Sequence, residues 1–157
     1  MMSAPTHILF VCTGNTCRSP MAEGLFRQLA AQNHPDWVIS SAGISAWTGD
    51  TASEHTLEAL RRHHIDLSSH RSTALSPQLI DAATHIYTMT SAHRDILLAY
   101  FPEYEGKIHL LTYLLDSADI ADPFGGPLSL YQKTLQQMLP ALQSILAHLE
   151  SPTISPS

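Results

Sequence analysis

Residues 12–19 read CTGNTCRS, directly after the apolar run HILFV. Two thiols, a guanidinium and three hydroxyls within eight residues are more chemistry than a buried core needs. Cys12 and Arg18 stand in a C-x-x-x-x-x-R spacing, and Ser19 follows. A loop between a strand and a helix N-terminus presents backbone N–H groups and the positive end of the helix dipole, which together make an anion site. Gly14 lets a ligand approach the backbone. Asn15 tolerates left-handed geometry. Arg18 can grip two phosphate oxygens with its planar fork. The N–H groups that cradle phosphate also stabilise a thiolate, and Ser19 can donate to it. The loop formed by Thr13, Gly14, Asn15, Thr16, Cys17, Arg18 and Ser19 therefore combines a phosphate cradle with the nucleophile Cys12, which suits covalent phosphoryl transfer to sulfur. Cys17 is near enough in sequence to permit a reversible disulfide with Cys12.

Two other loop chemistries do not fit. A nucleotide-binding loop needs G-x-x-x-x-G-K-[ST], and the lysine and second glycine are missing. Dithiol oxidoreductases use C-x-x-C, whereas four residues separate these cysteines. Phosphoryl transfer also needs an acid for the leaving group. Asp122 of DPFGG is the candidate, in a turn-rich segment late in the chain.

The elements that must position these groups alternate. HILFVC reads as a buried parallel strand, and SPMAEGLFRQLAAQ as a helix started by Ser19 and Pro20. WVISSAG is a second strand. TASEHTLEALRRHH is a second helix, with Thr51 and Glu54 spaced as a capping box. THIYTMT, SAHRDILLAYF and KIHLLTYL give strand, helix, strand. The segment 128–150 is a long amphipathic helix with Leu135, Met138, Leu142 and Ile145 inward, and Pro140 predicts a kink or break in it. Strict alternation predicts a three-layer α/β fold, a parallel sheet flanked by helices, with ligands at the carboxyl ends of the strands. Both the cysteine loop and Asp122 follow strands and so belong at that edge. One domain over residues 1–150 is expected, with a disordered Pro/Ser-rich tail at 151–157.

The 157 residues are 44% hydrophobic and 14% charged, with a net charge of −6 when histidines are neutral. This composition argues against general attraction to nucleic acid or an anionic membrane. The N-terminus lacks the basic region of a signal peptide, and no apolar run approaches the ~18 residues of a membrane span. Two cysteines five apart suit a reducing, cytoplasmic setting. The ten histidines show no zinc spacing and read as solvated surface groups, so neither metal nor cofactor is expected. Tyr131 is expected to pack at a helix start.

VCTGNTCRSPMAE together with the late DPFGG resembles the low-molecular-weight protein tyrosine phosphatase family, over roughly residues 6 to 149. The resemblance implies a four-stranded parallel sheet. It implies Cys12 as the nucleophile that forms a phosphocysteine, Arg18 as the phosphate clamp, and Asp122 as acid and then base. It also implies Ser19 as thiolate partner, and Asn15 with Ser41 and His70 as supports of the loop. Trp47 and Phe124 match positions that wall the substrate cleft. Thr16, where tyrosine phosphatases carry a bulky aliphatic residue, and Gly125, in the place of a second aromatic, resemble the bacterial protein-arginine phosphatases. The expected substrates are therefore phosphoarginine proteins, with phosphotyrosine proteins as the alternative, handled by a monomer. Arsenate reductases share such a loop but need further cysteines. A non-catalytic phosphate-binding module would need neither Cys12 nor Asp122.

Overall fold

The computed structural model describes residues 5–151. The tail expected to be disordered lies almost wholly outside that range. Strand β1 (His7–Cys12) is central: it pairs in parallel with β2 (Val38–Gly43) on one side and β3 (His85–Thr88) on the other. Strand β4 (Ile108–Leu110) extends the sheet beyond β3, giving the order β2-β1-β3-β4. Residues 8–12 are all buried, because both faces of β1 are covered; that is why HILFV reads as a continuous apolar run rather than an alternating one.

Helices α1 (Arg18–Ala30), α2 (Glu54–Arg61) and α5 (Leu128–Glu150) share one core with Ile8 and Phe10. On the other face, Leu9 and Val11 pack with Ile80 of α3 (Pro77–Ala82) and Leu97 of α4 (Ser91–Tyr100). The four-stranded parallel sheet flanked by helices is as expected.

Three local expectations are corrected, and one helix is added. First, α1 starts at Arg18, with Cys17 in the cap position and no side-chain cap bond; the Ser19 hydroxyl bonds Cys12 instead. Pro20 falls in the first turn, where a missing N–H costs nothing. Second, α2 is capped by Ser53, whose Oγ accepts from Thr56 N at 3.3 Å, and not by a Thr51–Glu54 box. That helix stops at Arg61, because His64 turns left-handed (φ 61°) and Ile65 N bonds back to Leu60 O. Third, α5 runs unbroken through Pro140. Pro140 and Gln136 are exposed, so the carbonyl that lost its donor faces water, while Leu135, Met138, Leu142 and Ile145 stay buried and hold the helix down. Fourth, helix α3 was missed, although Ser76 caps it and Pro77 opens it, a start signal legible in SPQLID.

Candidate active site

The carboxyl end of β1 delivers Cys12, which is 3% exposed. The chain then wraps around its sulfur. Asn15 takes φ 57°, the left-handed geometry that Asn tolerates, and this turns its backbone N–H toward Cys12 Sγ at 3.3 Å. The Ser19 hydroxyl, carried round by the first turn of α1, lies 2.9 Å from the same sulfur.

The Asn15 side chain is fully used. Its Nδ2 donates to Ser19 Oγ and Ser41 Oγ, both at 2.8 Å, and its Oδ1 accepts from Thr73 N at 2.8 Å. His70 Nε2 lies 2.9 Å from the Asn15 carbonyl oxygen. Ser41 in turn donates to Glu23 Oε1 at 2.6 Å, and Glu23 pairs with Arg27 at 2.7 Å. The three expected supports, Asn15, Ser41 and His70, are thus brought together behind the loop, and Glu23 extends their network. A buried polar cluster satisfied in this way has one low-energy arrangement.

Arg18 is 5% exposed. One guanidinium nitrogen donates to the Ile120 carbonyl at 2.9 Å and the other stands 3.7 Å from Asp122 Oδ2. The segment after β4 is therefore anchored on Arg18, and Asp122 comes opposite Cys12 although it stands 110 positions later in the chain. The Asp122 side chain is 53% exposed, and its other oxygen accepts from Phe124 N at 3.0 Å. A cavity of about 250 Å³ is lined by Cys12, Thr13, Gly14, Thr16, Cys17, Arg18, Asp122 and Phe124. Trp47, expected as a wall, is 81% exposed and is not among the lining residues.

Both cysteines are free thiols. Cys17 Sγ lies 3.5 Å from Ser53 Oγ and 3.6 Å from the Tyr131 hydroxyl, which burial pushes up to about 12. Tyr131 packs in the first turn of α5 as expected, but it also touches the loop.

Two site residues were missed. A Cβ on Gly43 would lie 2.6 Å from Thr13 O and 2.9 Å from Asn15 N, so the loop can close over β2 only because position 43 has no side chain. By contrast, a Cβ on Gly14 would meet only Thr16 Oγ1, at 3.8 Å. The second is His93, read from sequence as a surface histidine but 7% exposed, with Nε2 2.8 Å from Thr13 Oγ1. Burial, with Arg18 nearby, lowers its pKa to about 4. His70 is also buried, so the surface reading of the histidines holds only for others such as His55 and His148. Among the described residues no group of three or more His, Cys, Asp or Glu side chains could hold a metal ion.

A family model described as low molecular weight phosphotyrosine protein phosphatase matches residues 7–153. The chain belongs to that family. Among phosphatases of the family it is 40% identical over 149 residues to a protein-arginine-phosphatase of Geobacillus stearothermophilus, covering 94% of this chain and 98% of that one. It is 34% identical to a low molecular weight protein-tyrosine-phosphatase of Staphylococcus epidermidis, over 88% of this chain and 95% of the relative. A solved structure of the YwlE arginine phosphatase, a cysteine-to-serine mutant with its active-site serine phosphorylated, superposes with a TM-score of 0.88 at 36% identity, covering 94% of this chain and 98% of that one.

Proposed function

We propose that this phosphatase hydrolyses phosphoarginine on proteins through a phosphocysteine at Cys12. The Cys12 thiolate attacks phosphorus, and the P–N bond breaks as Asp122 delivers a proton to the departing guanidine nitrogen. Arg18 and the loop N–H groups hold the equatorial oxygens, where charge is greatest in the transition state. Asp122, now a carboxylate, takes a proton from water, which attacks the phosphocysteine and releases phosphate and the thiolate. This route needs no metal, because the loop N–H groups and Arg18 offset the phosphate charge. The cytoplasm, where thiols stay reduced, is the proposed setting.

The observation that carries the substrate assignment is Thr16. It lines the same cavity as Cys12, and among the described residues its hydroxyl makes a single hydrogen-bond contact, with the Cys17 sulfur at 3.9 Å. A sulfur that far away is a weak partner, which leaves the hydroxyl for a polar group of the substrate. Phe124, 77% exposed at the rim, offers a face on which a guanidinium can stack. The arginine phosphatases among the relatives agree with this reading.

The same exposed Phe124 ring could cover a phenol, and that favours the second reading, phosphotyrosine. Measuring kcat/KM for phosphoarginine and phosphotyrosine substrates on wild type and Thr16→Ile separates the two. Phosphoarginine turnover should fall roughly ten- to a hundredfold in the variant, the loss of one hydrogen bond to a charged group, while phosphotyrosine turnover holds or rises. A wild type that prefers phosphotyrosine would overturn the arginine assignment and leave the phosphatase standing.

A further inference from the structure

Helix α4 is capped by Thr90, whose hydroxyl accepts from His93 N at 3.1 Å. This cap places His93 in the first turn, beneath the cysteine loop, with Nε2 2.8 Å from Thr13 Oγ1. The other ring nitrogen, Nδ1, is buried and has no hydrogen-bond partner among the described residues. An unsatisfied buried nitrogen is unfavourable for folding. Thr13 gains no satisfaction that water would not give it, because Thr13 is exposed. The contact satisfies Nε2 of the buried ring and leaves Nδ1 unpaired. Its effect is to restrict where Thr13 can lie.

Thr13 follows the nucleophile and lines the cavity. Its carbonyl accepts from Ser45 N at 2.9 Å, on the β2 side, so the α4 contact grips the opposite side of the residue. The same turn of α4 also holds the segment that carries the acid. Ser91 N and Ser91 Oγ donate to the Asp119 carboxylate at 3.0 and 3.1 Å, three residues before Asp122. One helix end thus touches both the loop of Cys12 and the loop of Asp122.

We propose that His93 is a positioning residue, which through Thr13 fixes the start of the phosphate-binding loop relative to the segment bearing Asp122. The inference rests on the phosphatase reading above, but not on the choice of substrate. The charged groups that face His93 are Arg18 from α1 and Asp119 and Asp122 from the segment before α5. The buried ring beside Arg18 stays neutral near neutral pH, so it meets the Thr13 hydroxyl without adding a charge to the site.

The test uses an aryl phosphate, inorganic phosphate as inhibitor, and thermal melts on the full chain. His93→Leu fills the same space and removes the unsatisfied nitrogen. Its kcat should fall roughly tenfold, since small misplacements of reacting groups cost rate steeply, while KM and the phosphate inhibition constant change less than about twofold. Its melting temperature should hold or rise. His93→Gln, whose amide can reach the Thr13 hydroxyl, should restore most of kcat. In a Thr13→Val background, His93→Leu should have no further effect on kcat. An unchanged kcat in His93→Leu overturns the proposal. So does a loss of kcat and melting temperature together in both Leu and Gln variants, which would mean that the ring only fills the core. A wild type inert toward aryl phosphates would defeat the phosphatase reading itself.

Discussion

At the scale of single residues, the site sets a buried thiol against a half-exposed carboxyl group. Cys12 is buried and surrounded by donors, whereas the Asp122 side chain is half-exposed and tied to Arg18 at 3.7 Å. Cys12→Ser should abolish turnover and leave phosphate affinity largely intact, because a serine hydroxyl can still meet Asn15 N and Ser19 Oγ and because Arg18 is held by Ile120 and Asp122. Asp122→Ala should lower kcat by ~10²–10⁴-fold, with a smaller loss for good leaving groups that need no proton. Steady-state kinetics with phosphate inhibition checks both; appreciable turnover by Cys12→Ser would rule out the phosphocysteine. The side chains that shape the loop come from distant positions. Gly43 shows this best: nothing around it in SSAG signals that a backbone must pass within van der Waals contact.

Among the elements, α1 and α4 both point their N-terminal turns at the loop, α1 through Arg18 and Ser19, α4 through His93. Helix α5 shows how packing overrides local propensity. Its proline should break it, but the break would fall on the solvent side and would expose Leu142 and Ile145. The inner face decides the outcome. Pro140 does carry a cost, since a proline inside a helix is worth about 3 kcal/mol less than alanine. Pro140→Ala should therefore stabilise the protein by about 1–3 kcal/mol, raising the melting temperature by roughly 2–4 °C per kcal/mol, with kcat unchanged. A melting temperature that falls would mean that α5 is shaped around the proline.

For the whole molecule, imidazoles wholly or partly withdrawn from water contribute to the response to acid. His93 is lowered to about 4, and burial also lowers His7, His85 and His109. The unfolded chain binds protons at histidine near pH 6.5, before the folded one does. The stability these histidines contribute is therefore fully present above pH 6.5 and is lost as pH falls toward 4; His93 alone accounts for up to about 3 kcal/mol of that loss. Denaturant melts between pH 7 and 4.5 should show a shallower decline in His93→Leu than in wild type, and equal slopes would refute the assignment. Read alone, the sequence determined the loop, the order of the strands and of every α-helix but α3, and the long inner face of α5, because these depend on residues close together in the chain. Only the tertiary structure decided that Arg18 anchors the segment of Asp122, that Ser53 rather than Thr51 caps α2, that Trp47 stands off the cavity, and that His93 and Gly43 belong to the site. Those facts depend on which distant surfaces meet when two helical layers close over one sheet, and neither periodicity nor spacing along the chain records that meeting.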